Sequence, residues 1–360
     1  MDLRAPERRR EYIGVQALRA VAALGVVAYH GTQLWAQRLT STSGASEWIA
    51  GATGVDVFFV ISGFVMMLTS QRLQGLSGAK DFIVRRLIRI VPLYWLVTTI
   101  KLVGLMRAPS LATNAVPSWT EAVKSYFFIP YRHSDGIINV LVIAGWTLVF
   151  EIFFYLIFAG SIAAKQNRLR FLAIVIGGVA CVGLFRSPHW PVVFYTMDPI
   201  VLEFLAGAWL ANRINTRSRV FSQPMALGVC AGWIVYLAFF SGWGDERLRF
   251  LLAGLPAILV VMAVVSLEDE LHHRIPRWLR KLGDASYSIY LVHGVVLPVI
   301  GVLMVREGLM NSGRAKPVAV LLSLILSSLA GVVVYQVCEH PLTEWLKAKF
   351  NGKNREHQVV

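Results

Sequence analysis

The pattern of apolar positions along the chain is a series of long runs separated by short polar segments. Each run approaches the roughly 20 residues that a helix needs to cross the hydrocarbon core of a bilayer. The runs lack the alternation typical of barrel strands, so they predict helices, in which every backbone polar group is satisfied within its own segment. The predicted spans are residues 12–34, 51–70, 88–106, 142–163, 170–187, 196–213, 222–240, 248–266, 286–305 and 316–337.

The predicted fold is therefore all-α, a polytopic integral membrane protein with about ten transmembrane helices. Residues 1–345 are predicted to form a single multi-span domain, and residues 346–360 a polar, basic cytoplasmic tail. Composition agrees with this prediction: 56% of the 360 residues are hydrophobic and 16% are charged. Soluble domains average roughly 45–50% apolar and 25% charged residues. The first run contains Arg19 and is too long for a signal-peptide core, so it is predicted to be a retained span.

The positive charge of the chain indicates its topology. A formal net charge of +14 could indicate nucleic-acid binding, but that function needs basic residues clustered on a soluble face. Here most lysines and arginines fall in alternate connections between spans, which is the bias of the positive-inside rule. This bias predicts that both termini are cytoplasmic, and it excludes a nucleic-acid partner. The three cysteines, Cys181, Cys230 and Cys338, have no paired spacing, so neither a disulfide framework nor a metal site is predicted.

Two ionisable residues in the first predicted span are candidate functional groups. A charged side chain near the bilayer centre costs about 2.5–3.5 kcal/mol on insertion scales, so each such residue requires an explanation. Arg19 and His30 project from one helix face and stand about 16 Å apart along the axis. One helix thus presents a fixed cation below a titratable base. The alternative for His30 is a hydrogen-bonded structural residue.

Acidic residues in three other predicted spans are also candidate functional groups. Asp56 lies at about the depth of His30 and could orient its imidazole; the alternative is an ordinary interfacial carboxylate. Glu151 and Glu203 lie within predicted spans, where they are expected either to pair with an intramembrane arginine or histidine or to be protonated.

Two further pairs of residues each share one face of a predicted helix. Arg86 and Arg89 lie one turn apart and could hold a polyphosphate through their forked donors. The alternative is a simple positive-inside anchor. Tyr290 and His293 also share a face, in the cytoplasmic half of the ninth predicted span.

Taken together and in this order, these motifs resemble the acyltransferase-3 family of bacterial membrane acyltransferases, most closely its exopolysaccharide-modifying branch. The resemblance runs from about Tyr12 to Trp345. The matching motifs are Arg19 and His30 with ten residues between them, Gly54 to Phe64, Arg86-x-x-Arg89 before Pro92, Trp146-Thr-Leu-x-x-Glu151, Glu203-Phe-Leu-x-Gly207, Ser286 to His293, and Glu339-His340-Pro341.

The resemblance implies a ten-helix core in the bacterial inner membrane, an acyl-CoA donor approached from the cytoplasm, and a carbohydrate hydroxyl as acceptor. Acetyl-CoA is the commonest donor among relatives, and succinyl occurs too. The acceptor is expected to be lipid-linked or polymeric, with polysaccharide-assembly proteins as partners, and no metal is required. This chain departs from many relatives in lacking a basic residue just before Glu203, where it has Met197, Asp198 and Pro199.

The residues permit a mechanism of acyl transfer within the membrane. His30 is predicted to act as general base on the sugar hydroxyl or as a transient acyl carrier, with Asp56 orienting its ring. Two other classes stay open: a proton-coupled transporter, which would also keep ionisable groups inside its helices, and a non-catalytic scaffold or export partner. The remaining assignments are catalytic roles for Arg19 and Glu151, and donor binding by Arg86, Arg89, Tyr290 and His293.

Overall fold

The helices of the molecule account for nearly all of its described residues. A computed structural model describes residues 11–39, 47–107, 117–133, 136–187, 189–216, 219–245, 248–308 and 315–356. The α-helices are α1 (Ile13–Leu39), α2 (Gly54–Thr69), α3 (Gly75–Arg107), α4 (Trp119–Tyr126), α5 (Gly145–Ala163), α6 (Arg168–Leu184), α7 (Leu202–Thr216), α8 (Gln223–Phe239), α9 (Leu255–Ser266), α10 (Glu268–Leu271), α11 (Arg277–Asp284), α12 (Ser286–Arg306), α13 (Ala315–Val334) and α14 (His340–Glu356). The two short strands, β1 (Tyr131–Arg132) and β2 (Ile138–Asn139), pair antiparallel between α4 and α5.

The all-α, polytopic fold predicted from the hydrophobic runs is confirmed. Each of the ten predicted segments coincides with helical structure. Within the described residues, seven helical segments are long and apolar enough to cross a membrane, and residues 223–239 and 250–266 form shorter apolar helices. Large apolar side chains such as Leu156, Ile234 and Phe239 are exposed on these helices, as contact with lipid requires. The exact number of ten spans stays a prediction.

Two helices extend beyond the boundaries that hydropathy predicted. The third predicted span begins at residue 88, whereas α3 begins at Gly75 and carries three arginines before its apolar part. Hydropathy identifies the part of a helix that lies in the hydrocarbon core of the bilayer. It does not detect polar helical turns that continue beyond that core. For the same reason α14 continues through Glu356, into the predicted polar tail.

α2 and α7 approach each other closely because glycines face the partner backbone. A Cβ added at Gly63 would collide with the carbonyl oxygen of Phe204, and one at Gly207 with that of Val60. Small residues allow such backbone approach between membrane helices, which associate through packing. The rings of Phe59 and Phe204 stack beside this contact, with their centroids 4.5 Å apart. These two glycine contacts, Gly63 with Phe204 and Gly207 with Val60, thus fix the position of α2 against α7.

The glycine contact predicts a large effect of a single methyl group. Gly207→Ala is expected to lower the free energy of unfolding by about 1–3 kcal/mol or more, because the obstructing atom belongs to backbone and cannot rotate away. Gly178→Ala is the matched control: nothing lies within 4 Å of a Cβ at this position in α6. Thermal unfolding of the detergent-purified variants measures the difference. Equal unfolding temperatures for the two variants would contradict the packing described.

Candidate active site

A cavity between α1, α2, α3, α5 and α12 brings together most of the predicted site residues. It has a volume of about 100 Å³. Its charged and polar lining residues are Arg19, Ser62, Arg86, Arg89, Thr147, Glu151, Tyr155, Tyr287 and Tyr290. Five of the eight predicted site residues line this cavity, namely Arg19, Arg86, Arg89, Glu151 and Tyr290. The other three, His30, Asp56 and His293, do not line it.

Three arginines from two helices form one cationic group, called here the arginine cluster: Arg19, Arg86 and Arg89. Arg19 is within electrostatic range of Arg89 and is held by Gln16, whose side-chain oxygen lies 3.1 Å from its Nη1. Arg86 donates from Nη2 to Thr69 Oγ1 at 2.7 Å. Helical spacing brings Arg86 and Arg89 to the same face of α3, as predicted. Like charges brought this close favour an anionic ligand.

Two carboxylates balance part of this charge. Glu151 of α5 accepts through Oε1 from Ser62 Oγ at 3.1 Å and from the Tyr155 hydroxyl at 2.6 Å. Its direct hydrogen-bond partners are thus hydroxyls, where the prediction was either an arginine or histidine partner or a protonated carboxyl group. Arg86 and Arg19 lie within electrostatic range.

Glu339 supplies the second carboxylate. It ends a π-helical turn between α13 and α14 and accepts from Ser288 Oγ at 2.6 Å, within electrostatic range of Arg19 and Arg89. Asp284 is a third carboxylate within electrostatic range of Arg19, so three carboxylates surround the three arginines.

Tyr290 joins this cavity to a pair of histidines. Its hydroxyl lies 3.1 Å from Thr147 Oγ1 at the cavity wall, and its ring lies 5.7 Å from that of His293, centroid to centroid. The prediction that Tyr290 and His293 share one face of their helix is confirmed. His293 in turn stacks on His30, with ring centroids 5.1 Å apart and planes inclined by 22°. His30 and His293 are called the histidine pair below.

The two ring nitrogens of His293 differ in their hydrogen bonding. Nδ1 is hydrogen-bonded to the carbonyl oxygen of Tyr290, so it carries the proton. Nε2 is buried and has no hydrogen-bond partner among the described residues. A buried acceptor of this kind is costly unless a ligand group satisfies it. His293 therefore presents an open acceptor next to His30 rather than toward the arginine cluster, where donor binding was predicted.

The structure gives Asp56 a different partner from the one predicted. Its fully buried carboxylate forms a two-pronged ion pair with Arg249, with Oδ1–Nε at 3.3 Å and Oδ2–Nη2 at 3.2 Å. The Nδ1 atom of His30 is instead hydrogen-bonded to Gln33. The predicted orientation of the His30 ring by Asp56 is therefore wrong: α2 turns Asp56 toward α7 and the start of α9, away from the histidine pair.

Glu203 lies beside this ion pair, on α7. The Glu203 carboxyl lies within electrostatic range of Asp56 and Arg249. Both of its oxygens are buried and have no hydrogen-bond partner among the described residues. Gly254, in the π-helical turn after Arg249, leaves the space they occupy. We call Asp56, Glu203 and Arg249 the acid–arginine cluster.

Arg249 was missed by the sequence analysis. Its guanidinium lies over the indole rings of Trp146 and Trp243, 5.3 Å and 4.9 Å from the ring centroids. The predicted eighth span begins at residue 248, which places Arg249 at the end of a span, where a basic residue is common. The sequence signal that could have pointed to Arg249 is Asp56, because a carboxylate inside a predicted span requires a positively charged partner from another helix.

Breaking the Asp56–Arg249 pair is expected to destabilise the fold. Asp56→Leu should cost about 3–5 kcal/mol, because it leaves a largely buried guanidinium without its carboxylate. The double variant Asp56→Leu/Arg249→Met, which removes both charges, should recover much of that loss. A double-mutant cycle on thermal unfolding measures the coupling. Additive losses in the double variant would show that the two side chains do not stabilise each other.

The donor set fits a polyphosphate better than a metal ion. Among the residues that the structure describes, no group of three or more His, Cys, Asp or Glu side chains could hold a metal ion. The three cysteines are unbridged, and Cys181 is exposed. Guanidinium groups bind phosphates through paired N–H donors, and three of them line this cavity. The chemistry of these residues therefore matches a phosphate-bearing donor.

The site thus combines buried arginines around a cavity in a helical membrane domain with a stacked pair of histidines beside it. The family model described as an acyltransferase domain matches residues 12–337. The chain belongs to this family, acyltransferase-3, and the resemblance recognised from the motifs is confirmed.

Two similar proteins have names that state a role in polysaccharide production or modification. The exopolysaccharide production protein ExoZ of Rhizobium meliloti is 37% identical over 81% of this chain and 89% of its own length. The peptidoglycan O-acetyltransferase OatA of Listeria monocytogenes is 26% identical over 79% of this chain. The match covers 49% of the length of OatA, so this chain spans about half of that protein. No solved structure matches the chain.

Proposed function

We propose that the protein is a membrane O-acyltransferase that moves an acyl group, acetyl in the first instance, from acyl-CoA to a hydroxyl of a surface carbohydrate. The acceptor classes we propose are exopolysaccharide, lipopolysaccharide or a related glycan, lipid-linked or polymeric. The names of ExoZ and OatA support a polysaccharide acceptor. The observation that carries the proposal is the arrangement of two chemically different groups, the arginine cluster and the histidine pair, joined by Tyr290.

The arginine cluster is suited to hold the donor. In the predicted topology it lies toward the cytoplasm, where acyl-CoA is available. Arg86 and Arg89 bind the CoA phosphates, and Arg19 binds the donor further along the cavity. The narrow cavity admits the slender arm that bears the thioester, while the nucleotide remains outside. Glu151 and Glu339 hold the arginines in place and keep the cluster from repelling itself.

The histidine pair is suited to activate the acceptor. A sugar hydroxyl is almost wholly protonated at neutral pH, so a base must take its proton as the new bond forms. In the proposed reaction His30 accepts that proton, the hydroxyl oxygen attacks the thioester carbonyl, the C–S bond breaks and CoA leaves as a thiolate. Tyr290 and the open Nε2 of His293 lie beside this path and contribute hydrogen bonds to the reacting groups.

Purified protein in sealed liposomes distinguishes this proposal from the transporter alternative. With acetyl-CoA and a membrane glycolipid extract, an acyltransferase releases CoA only when acceptor is present. A transporter instead exchanges unmodified labelled substrate across the liposome membrane and consumes no thioester. Acceptor-dependent CoA release supports the proposal; counterflow without CoA release, with acetyl-CoA and then succinyl-CoA, would refute it.

A further inference from the structure

The orientation of His30 depends on a residue one helical turn away. His30 Nδ1 lies 2.8 Å from the side-chain oxygen Oε1 of Gln33. The spacing i, i+3 places the two side chains next to each other on α1. The other close neighbours of the ring, His293 and Tyr29, contact its faces at 5.1 Å and 4.9 Å between centroids. Among the described residues, Gln33 is thus the group that holds a ring nitrogen of His30.

Gln33 is itself held by a carboxylate. Its amide nitrogen Nε2 donates to Glu47 Oε2 at 3.1 Å and to the Tyr29 hydroxyl at 2.7 Å. Glu47 immediately precedes Trp48, which is fixed at two points: its backbone N–H donates to Thr32 Oγ1 at 3.0 Å, and its indole N–H donates to the carbonyl oxygen of Leu237 at 2.8 Å. The carboxylate is therefore anchored against α1.

The chemistry of these partners determines which nitrogen of His30 bears the proton. An ionised carboxylate can only accept hydrogen bonds, so the NH₂ group of Gln33 must face Glu47. The carbonyl oxygen of Gln33 then faces His30, and it too can only accept. Nδ1 of His30 must therefore be the N–H donor. In the neutral ring this leaves the lone pair on Nε2.

We propose that Gln33 and Glu47 are positioning residues that hold His30 in the Nδ1–H tautomer, with Nε2 as the atom that takes the acceptor's proton. This rests on the proposed function of His30 as general base. The hydroxyl proton moves to Nε2 as the oxygen bonds to the thioester carbon, and the electron pair of the C–S bond leaves with the CoA sulfur. The resulting imidazolium keeps its Nδ1–H bond to Gln33, whose dipole is oriented by Glu47, and returns its proton to the thiolate or to water. The pair thereby performs the orienting role that was predicted for Asp56.

The tautomer is measured directly, without turnover, by nitrogen NMR of the full chain labelled with ¹⁵N-histidine in lipid nanodiscs. His30 is identified by the signal lost in His30→Gln. We expect the Nδ1–H tautomer in the wild type. Glu47→Gln removes the obligate acceptor and lets the Gln33 amide rotate, so the Nε2–H tautomer should appear and kcat should fall about 10-fold or more, part of the roughly 10²–10⁴-fold that a positioned base contributes.

A polarity swap separates positioning from general structural damage. In Gln33→Glu/Glu47→Gln the carboxylate at position 33 accepts from Nδ1–H of His30, and the amide at position 47 donates to that carboxylate. The swap should therefore restore the Nδ1–H tautomer and most of the lost kcat. Gln71→Leu, at an exposed position after α2, is the control and should change neither quantity.

Two results would overturn the proposal. One is an Nε2–H tautomer of His30 in the wild type. The other is a Gln33→Leu variant with unchanged tautomer and unchanged kcat. Failure of the proposed function looks different: the wild type would transfer no acyl group to any acceptor, while the NMR measurement would still report which nitrogen of His30 is protonated.

Discussion

Replacing His30 by alanine is expected to lower kcat for acyl transfer by about 10²–10⁴-fold while the protein remains folded. That range is the contribution typical of a positioned general base. His30 is only partly buried, and its ring contacts His293 and Tyr29 and makes one hydrogen bond to Gln33. Its removal therefore takes away a reactive nitrogen without opening a large cavity in the core. KM for the donor should change little, because His30 does not line the cavity that holds the arginines.

The measurement is a steady-state assay of CoA release with purified wild type and variant at matched protein levels. His273→Ala is the control, since this exposed histidine lies in the connection between α10 and α11, away from the cavity. The control should keep wild-type kcat. A His30→Ala protein that is folded and fully active would exclude His30 as the base and as an acyl carrier.

Alanine at Arg86 or Arg89 is expected to raise the KM for acetyl-CoA roughly 10- to 100-fold. A hydrogen bond to a charged group contributes about 1.5–3 kcal/mol, and each arginine is proposed to make such bonds to a CoA phosphate. Arg85→Ala is a matched control on the same helix, because Arg85 is exposed and does not line the cavity. If Arg85→Ala raised the KM as much as the other two, the cluster would be a general surface charge rather than a binding site.

A donor without phosphates tests whether Arg86 and Arg89 act by binding the phosphates of CoA. Acetyl-pantetheine carries the thioester but lacks the nucleotide and its phosphates. Wild type should use it poorly, and the Arg86 and Arg89 variants should use it about as well as wild type does, because the lost contacts have no counterpart in this donor. A large effect of the arginine variants on acetyl-pantetheine would place the arginines elsewhere in the reaction.

The sequence predicted the helices and most of the cavity because both follow from local pattern. Arg86 and Arg89 lie one turn apart on one helix, and Tyr290 and His293 likewise, so helical spacing alone places each pair. Each of the ten predicted apolar runs coincides with helical structure. The start of α3 at Gly75 was missed, since a helix that continues past the hydrocarbon leaves no hydropathy signal.

The partners of the buried acids could not be predicted, because they come from distant parts of the chain. Asp56 and Arg249 are 193 positions apart and meet only when α2 and the start of α9 pack together. Asp56 and His30 were predicted to interact because they lie at similar depths in the bilayer. Depth, however, does not determine which side of its helix a side chain faces. Gln33 could have been predicted as a partner of His30, because it is a polar residue one helical turn after an intramembrane histidine. Glu47 could not have been predicted, because it lies outside that helix.

The central claim is that donor phosphates bind at the arginine cluster and the acyl group passes to a carbohydrate hydroxyl near His30. The most direct test follows the label from ¹⁴C-acetyl-CoA into glycolipid, using purified protein in nanodiscs with membrane glycolipid extract as acceptor. The account predicts labelled glycolipid in amounts equal to the CoA released, and loss of both products in His30→Ala. CoA release with no label in the carbohydrate fraction, or labelled carbohydrate formed equally well by His30→Ala, would contradict it.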